Sequence, residues 1–207
     1  MQNHELINIS DRYNTIEYIG HELNEGNATL LAGAIRRLVA SPPKRTFSLL
    51  LNEVKSIEIN AARVLGELSE ELSEIEVDAD FPYIFNFTEF GFEHLPEDVA
   101  QILAKFPSYF LNFDKITHLP ESVACQFNGS GHALTFCGCS EFSPATLRAL
   151  AKSACFLSLG LSELSVEQAK ELANLHGDLL LNRAKQLPSE VLLALGEKPN
   201  LCLRTKA

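Results

Sequence analysis

The sequence predicts an α/β fold, a right-handed βα solenoid with a parallel sheet on one side and short outer helices on the other. Two observations predict it. An apolar residue at the start of a helix recurs at intervals of 24, 23, 22 and 23 residues, and a short alternating strand recurs in step with it. Because a unit of this length cannot bury its own apolar face, stacking of successive units follows as the physical solution.

The repeat is clearest in the segment LLLNRAKQLPSEVLLAL, residues 179–195, which holds a strand, a polar turn and a helix. The helix-start residues are Leu95, Leu119, Phe142, Leu164 and Leu187. The strand copies are Phe85-Asn86-Phe87, Leu111-Asn112-Phe113, Leu134-Thr135-Phe136, Leu157-Ser158-Leu159, Leu179-Leu180-Leu181 and Leu201-Cys202-Leu203. Proline or serine with acidic neighbours at the helix starts is typical of a first helical turn.

The first repeats are less regular. A strand is predicted over 47–51 and a helix over Ile59–Leu68. The next strand has two candidates, 75–77 and 85–87, because both lie at a suitable distance from neighbouring units. Residues 78–82 are too few for a helical crossover between them. Either one unit lacks its helix, or Phe81–Phe92 is an inserted hairpin.

Residues 1–46 are predicted to form a helical N-terminal cap or degenerate repeat, and residues 47–207 the solenoid. Asn27 is the expected N-cap of a helix over Ala28–Val39, whose apolar residues share one face. A further helix is predicted over Tyr13–Leu23. Terminal units of a stacked fold must cover the open end of its core, which is the role assigned to residues 1–46.

In its strand and helix-start residues the chain resembles the leucine-rich repeat family, in a short, atypical bacterial-type form with repeats of about 23 residues. The resemblance covers roughly residues 47–207. It implies a non-catalytic scaffold that binds through the concave surface of its sheet. The chain departs from the usual family unit after the strand, because Leu181 is followed by the next inward residue, Ala184, only three positions later.

Composition limits the class of partner. The chain of 207 residues has a formal net charge of −10, which argues against nucleic acid or an anionic membrane as a partner. The first residues lack the basic start and apolar core of a signal peptide, so a cytoplasmic location is predicted. Five cysteines without a CxxC pair favour reduced thiols over a disulfide framework.

No catalytic or phosphate-binding motif is present, so the sequence predicts a protein that is not an enzyme, with no catalytic residue and no cofactor. One column of equivalent positions holds His94, His118, Glu141, Glu163 and Gln186. We interpret it as a solvated polar edge and assign no metal, although a metal-binding sensor at His94 and His118 remains an alternative. Cys139 is predicted to be a small core residue and Cys137 to face the surface.

The partner is predicted to be another protein, bound by strand residues that point away from the helices. Alternation places Ile84, Phe110, Ala133, Phe156, Asp178 and Asn200 in one row, and Leu50, Asn86, Asn112, Thr135, Ser158, Leu180 and Cys202 in a second. The predicted partner-binding residues are Ile84, Asn86, Phe110, Asn112, Phe156, Ser158, Asp178 and Leu180. Exposed aromatic residues among them would form an apolar patch of the kind that marks a binding surface.

Two structural alternatives remain at this point. The Phe-rich segment Phe81–Phe92 either packs an irregular turn of the fold or offers a partner-binding edge. The strand Leu201–Leu203 has no helix after it, and an open sheet edge can pair with another strand. The second function considered is therefore a structural module that self-associates through this edge, as a possible homodimer.

Overall fold

A computed structural model describes residues 6–10, 14–40, 46–73, 75, 85–196 and 201–203. In these ranges the protein has an α/β fold with one large, mostly parallel sheet and seven helices, which confirms the predicted α/β class. Across the same ranges, no helix combines the length and the apolar character needed to cross a bilayer.

The larger sheet contains nine of the described strands, in the spatial order β1-β2-β4-β6-β7-β8-β9-β10-β11, and β3 pairs with β5 in a separate two-stranded sheet. The strands are β1 Ile7–Ser10, β2 Thr15–Tyr18, β3 Glu22–Leu23, β4 Phe47–Leu51, β5 Ser56–Ile57, β6 Phe85–Phe90, β7 Ser108–Asn112, β8 Ala133–Phe136, β9 Phe156–Leu159, β10 Asp178–Leu181 and β11 Leu201–Leu203.

From α2 onward the helices alternate with the strands along the chain. They are α1 Glu25–Val39, α2 Ile59–Ser73, α3 Glu97–Leu103, α4 Glu121–Cys125, α5 Pro144–Ser153, α6 Val166–Leu172 and α7 Ser189–Leu195. Each helix contacts the next one in the chain, from α1 to α7. Proline lies at the N-cap of α3, α4 and α7, just before the first helical residue, and inside the first turn only in α5.

Strand register follows the sequence repeat. From β6 to β11 all neighbouring strands are parallel, and paired residues are 22 or 23 positions apart in the chain. Among the strand pairs of the described residues, only β1 and β2 are antiparallel. Parallel neighbours require a crossover connection, and in each of these units a helix supplies it.

The core lies between the helices and one face of the large sheet. Inward-facing phenylalanines of adjacent strands stack on one another, with ring centroids 4.9 Å apart for Phe90–Phe113 and 5.3 Å apart for Phe113–Phe136. Leu159 and Leu181 continue this row in β9 and β10, and both are buried. The stacked rings bury large apolar areas, so this row holds neighbouring units together.

The N-terminal helix predicted over Tyr13–Leu23 is wrong. Residues Thr15–Tyr18 form β2, and Glu22–Leu23 form β3; position 13 lies outside the described residues. Ile16 and Tyr18 are buried while the residues between and before them are partly exposed, and this period of two defines a strand. Because β2 pairs in parallel with β4, the N-terminal residues extend the sheet. The division into a cap and a solenoid stays a prediction.

The predicted helix over Ala28–Val39 is present but begins earlier, at Glu25. Its N-cap is Asn24, whose side-chain oxygen accepts a hydrogen bond of 3.0 Å from the backbone N–H of Asn27. Asn27 therefore lies in the first turn and donates the hydrogen bond to the cap; it is not the capping residue itself. The helix predicted over Ile59–Leu68 is confirmed as α2, which continues to Ser73.

The strand predicted at 85–87 is confirmed as β6, but its phase is wrong beyond Phe85. The pairing of β4 with β6 shifts by one residue between Phe85 and Phe87, so Asn86 is the extra residue of a bulge. A bulge reverses the alternation of faces. Thr88 and Phe90 consequently point inward, where the sequence pattern had placed Phe87. The alternative strand 75–77 lies, apart from Ile75, outside the described residues.

A buried histidine links two units. Both ring nitrogens of His132 face backbone carbonyls: Nδ1 lies 2.7 Å from the oxygen of Ser108 and Nε2 lies 2.9 Å from that of Ala104. Burial lowers the pKa of His132 below its ordinary value, and the two carbonyl oxygens oppose that shift. A neutral imidazole carries one N–H and donates to one of these carbonyls at a time, whereas the protonated ring donates to both. The ring lies between the start of β8, the start of β7 and the end of α3.

Replacement of the central inward ring tests the core. We expect Phe113→Ala to lower the free energy of unfolding by about 3–5 kcal/mol, because the ring is fully buried and stacks on both neighbouring strands. Urea denaturation measures the change. Leu193→Ala is the control, since that side chain is 83% exposed, and it should alter stability by less than about 0.5 kcal/mol. Equal losses in the two variants would contradict the assigned core.

Candidate functional site

The face of the large sheet opposite the helices carries the predicted site. We call it the open face. Its side chains alternate with the core residues, and none of them belongs to the hydrophobic core cluster of the described residues. From β4 to β10 the open face consists of Ser48, Leu50, Phe87, Glu89, Phe110, Asn112, Ala133, Thr135, Phe156, Ser158, Asp178 and Leu180.

Three half-buried phenylalanines form an aromatic ladder across the open face. The rings of Phe87 and Phe110 stack with their centroids 5.0 Å apart. Phe110 and Phe156 belong to strands separated by β8, a distance of about 10 Å at the usual strand spacing, yet their centroids are 6.1 Å apart. The two rings therefore lean toward each other over the small residue Ala133, which is only 1% exposed.

The prediction that Phe110 and Phe156 share this row is confirmed, and that of Ile84 is not. Ile84 lies outside the described residues, and the residue paired with Phe110 is Phe87. Asn86 is exposed but occupies the bulge, so the second row is filled by Glu89, which pairs with Asn112. The spacing in the sequence could have shown that this strand lies further along the chain. In other units the strand begins seven or eight residues before the helix-start residue, and the same spacing in this unit selects 87–90.

Polar side chains connect the carboxyl ends of β7 and β8. Thr135 donates its hydroxyl hydrogen toward Asn112 Oδ1 at 2.8 Å and Asp114 Oδ1 at 2.9 Å. The same Asp114 oxygen accepts from the backbone N–H of Cys137 at 2.8 Å, and Asn112 Oδ1 accepts from that of Asp114 at 2.9 Å. Asn112 is among the residues predicted from the sequence, whereas Asp114 is not, because it follows the strand and belongs to no repeated pattern.

The same network continues to β10. Asn182 Nδ2 donates to Ser158 Oγ at 2.5 Å and approaches Cys137 Sγ at 2.7 Å. Cys137 Sγ and Ser158 Oγ lie 3.4 Å apart. Ser158, predicted as a partner-binding residue, is 2% exposed and already hydrogen-bonded, so its role is to join neighbouring strands. We call the six side chains Asn112, Asp114, Thr135, Cys137, Ser158 and Asn182 the polar network.

Burial suppresses the reactivity of both thiols near the network. Cys139 is fully buried, as predicted, and burial raises its pKa to about 12. Burial also raises the pKa of Cys137. This residue is half-buried, whereas the sequence had predicted that it faces the surface. The thiolate is the nucleophilic form of cysteine, so neither residue is activated.

The remaining predicted residues lie at the β10 end of the open face. Asp178 pairs with Phe156 and is exposed, and Leu180 is half-buried beside Ser158. None of the described strands contains lysine or arginine. The open face therefore combines aromatic rings with the carboxylates of Glu89 and Asp178 and with no basic strand residue.

Glu89 occupies an electrostatically unfavourable place. Burial, and to a smaller extent the carboxylate of Asp114, raise the pKa of Glu89, whereas Lys115 and a hydrogen bond with Asn52 act in the opposite direction. A cleft of about 560 Å³ adjoins this carboxylate and is also lined by Glu53, Glu93, Lys55 and His94 among others. The cleft is lined by both acidic and basic side chains, so it has little preference for a ligand of either charge.

The histidine column does not form a cluster. His94, His118, Glu141 and Glu163 are all exposed in the turns that precede helices. Among the described residues, no group of three or more His, Cys, Asp or Glu side chains lies close enough together to hold a metal ion. All five cysteines of the chain are free thiols.

Comparisons of the chain with protein-family models, with curated proteins and with solved structures give no match in any of the three.

Removal of the central carboxylate tests whether the polar network stabilises the sheet. Asp114→Ala should cost about 1–3 kcal/mol in the free energy of unfolding, because the Thr135 hydroxyl loses one acceptor and the Cys137 N–H loses its own. Thermal unfolding measures the loss. Lys115→Ala, at the exposed neighbouring position, is the matched control and should have little effect. A stability of Asp114→Ala equal to that of the control would exclude this role.

Proposed function

We propose that the protein is a non-enzymatic scaffold that binds another protein through the open face of its sheet. The observation that carries this proposal is the aromatic ladder of Phe87, Phe110 and Phe156, which lies outside the core cluster and remains partly exposed. Large aromatic side chains are usually buried, and contiguous exposed apolar patches mark interaction sites. Phenylalanine is enriched at protein interfaces for the same reason.

The proposal includes a particular architecture, a right-handed βα solenoid of the leucine-rich repeat type. Strand order that follows chain order, a helix in each crossover and a constant register offset support it. Such a fold offers a continuous sheet surface on which side chains from successive units stand side by side. A cytoplasmic location also belongs to the proposal, and the five free thiols support it.

Partner capture with ladder variants tests the function. The double variant Phe110→Ala/Phe156→Ala should retain its fold, because both rings are half-buried, and should cost well under the roughly 3–5 kcal/mol of a core truncation. We expect wild-type protein immobilised on beads to retain a partner from native cell extract and the double variant to lose it. Mass spectrometry of the bound proteins, with circular dichroism of the variant, gives the readout.

The control is Leu192→Ala, which removes an exposed apolar side chain remote from the ladder and should keep the partner. If the double variant is destabilised as strongly as a core truncation, the aromatic ladder is part of the core. If the double variant still captures the partner, the open face does not bind it.

A second candidate function is self-association at the β11 end of the sheet. Two exposed leucines of α7, Leu192 and Leu193, favour it, at 42% and 83% exposure. In the described residues β11 pairs on one side only, with β10, and an unpaired edge can accept another strand. A two-fold pair of such ends would bury both leucines and join the sheets of two chains.

Light scattering tests this second function. If the β11 end associates, the protein without any added partner should scatter as a dimer, and Leu192→Glu/Leu193→Glu should convert it to a monomer because burial of two carboxylates is unfavourable. Leu30→Glu is the control: this leucine is 39% exposed on α1, near the opposite edge, and its substitution should leave the dimer intact. A monomer at every concentration would exclude the self-association.

A further inference from the structure

The charge and aromatic pattern of the open face indicates what kind of partner it fits. We propose that the face binds an extended, arginine-bearing protein segment, whose guanidinium groups stack on the aromatic ladder and pair with Glu89 and Asp178. This inference rests on the proposed function, because it identifies the chemistry of the partner that the open face is proposed to bind.

Position in the sheet places each carboxylate beside a ring. Asp178 is the register partner of Phe156 on the adjacent strand, about 5 Å away along the sheet. Glu89 follows Phe87 by two residues on the same strand, at a distance of about 7 Å along the same face. A guanidinium lying on either ring is thus within reach of a carboxylate, and arginine combines both contacts because it is planar and donates two parallel hydrogen bonds.

Charge complementarity favours a cationic partner segment over a neutral or anionic one. The strands of the described chain hold no lysine or arginine, so no basic side chain of the face competes for these carboxylates. Arg36 and Arg148 lie on helices and pair there with Glu71 and Glu171. The exposed Lys115, in the turn after β7, acts electrostatically on Glu89. The net charge of −10 attracts a cationic segment at long range.

The polar environment of Glu89 adds to the argument. Its carboxylate is held partly buried beside Asp114, an arrangement that a docked positive charge would stabilise. Between the two ends of the ladder, Asn112 and Thr135 are already hydrogen-bonded within the protein. They offer a polar surface of fixed shape rather than unsatisfied groups, so the directional contacts of a bound segment concentrate at the two carboxylates.

The width of the open face between Glu89 on β6 and Asp178 on β10 sets the length of the bound segment. This part of the sheet spans four strand spacings, about 19 Å. An extended chain covers that distance in about six residues, with every second side chain facing the sheet. Arginines on alternate positions would meet both ends of the ladder.

Peptide binding to the intact protein tests the inference. The probe is a twelve-residue peptide of alternating glycine and arginine, compared with matched peptides that carry lysine, glutamine or glutamate in place of arginine. We expect the arginine peptide to bind most tightly, the lysine peptide more weakly and the other two not measurably. Fluorescence anisotropy gives the dissociation constants, and added salt should weaken binding of the arginine peptide.

Charge removal at the face provides the decisive comparison. Glu89→Gln/Asp178→Asn should weaken binding of the arginine peptide by about tenfold, a change equivalent to 1.4 kcal/mol. Glu141→Gln/Glu163→Gln alters the net charge of the protein equally at two exposed positions outside the open face and should leave the affinity near that of the wild type. Equal weakening in both double variants would reduce the effect to general attraction by the net charge and overturn the inference.

Three further outcomes separate this inference from the proposed function. If the arginine and lysine peptides bind equally well, or if the glutamine peptide binds as tightly as the arginine peptide, the assigned arginine chemistry is wrong. If no cationic peptide binds, yet the native partner is captured and is lost in Phe110→Ala/Phe156→Ala, the open face is a binding surface for a different chemistry. If capture fails as well, the proposed function fails with it.

Discussion

The parallel register of neighbouring strands is the constraint on which the rest of this structure depends. An offset of 22 or 23 residues sets equivalent side chains of successive units side by side, and the rings of Phe90, Phe113 and Phe136 then stack about 5 Å apart. All three rings are fully buried, and each stacks on a ring from a neighbouring strand. The core is therefore shared between adjacent strands.

Close contact between units also explains the small residues after the strands. A side chain at Gly160 would place its first carbon 2.2 Å from the carbonyl oxygen of Cys137, and one at Gly138 would come 2.3 Å from that of Asp114. The backbones of adjacent turns approach too closely there for any Cβ. Beside these close approaches, Asp114 accepts a hydrogen bond from the backbone N–H of Cys137, and Asn182 donates one to the hydroxyl oxygen of Ser158. Both arrangements hold the carboxyl ends of the strands together.

Packing between adjacent strands and the polar network leave only part of the open face available to bind a partner. Thr135 and Ser158 face outward, but their hydroxyls are engaged in the polar network and their exposure is 5% and 2%. Phe87, Phe110, Phe156, Glu89 and Asp178 are outside that network and outside the core. The proposed binding function is assigned to those five side chains, because stacking of the units does not account for their aromatic and acidic character.

The sequence by itself determined the α/β class, the alternation of strands and helices after residue 85 and the position of Phe110 and Phe156 in one row, because all three follow from local periodicity. Only the tertiary structure decided three other features. The bulge at Asn86 brought Phe87 and Glu89 onto the open face, since a bulge is set by pairing with the partner strand and shows in the sequence only as an unusual spacing to the next helix-start residue. Residues Thr15–Tyr18 became a strand because β4 was available to pair with them. The polar network joins side chains up to 45 residues apart, which meet only once the strands are in register.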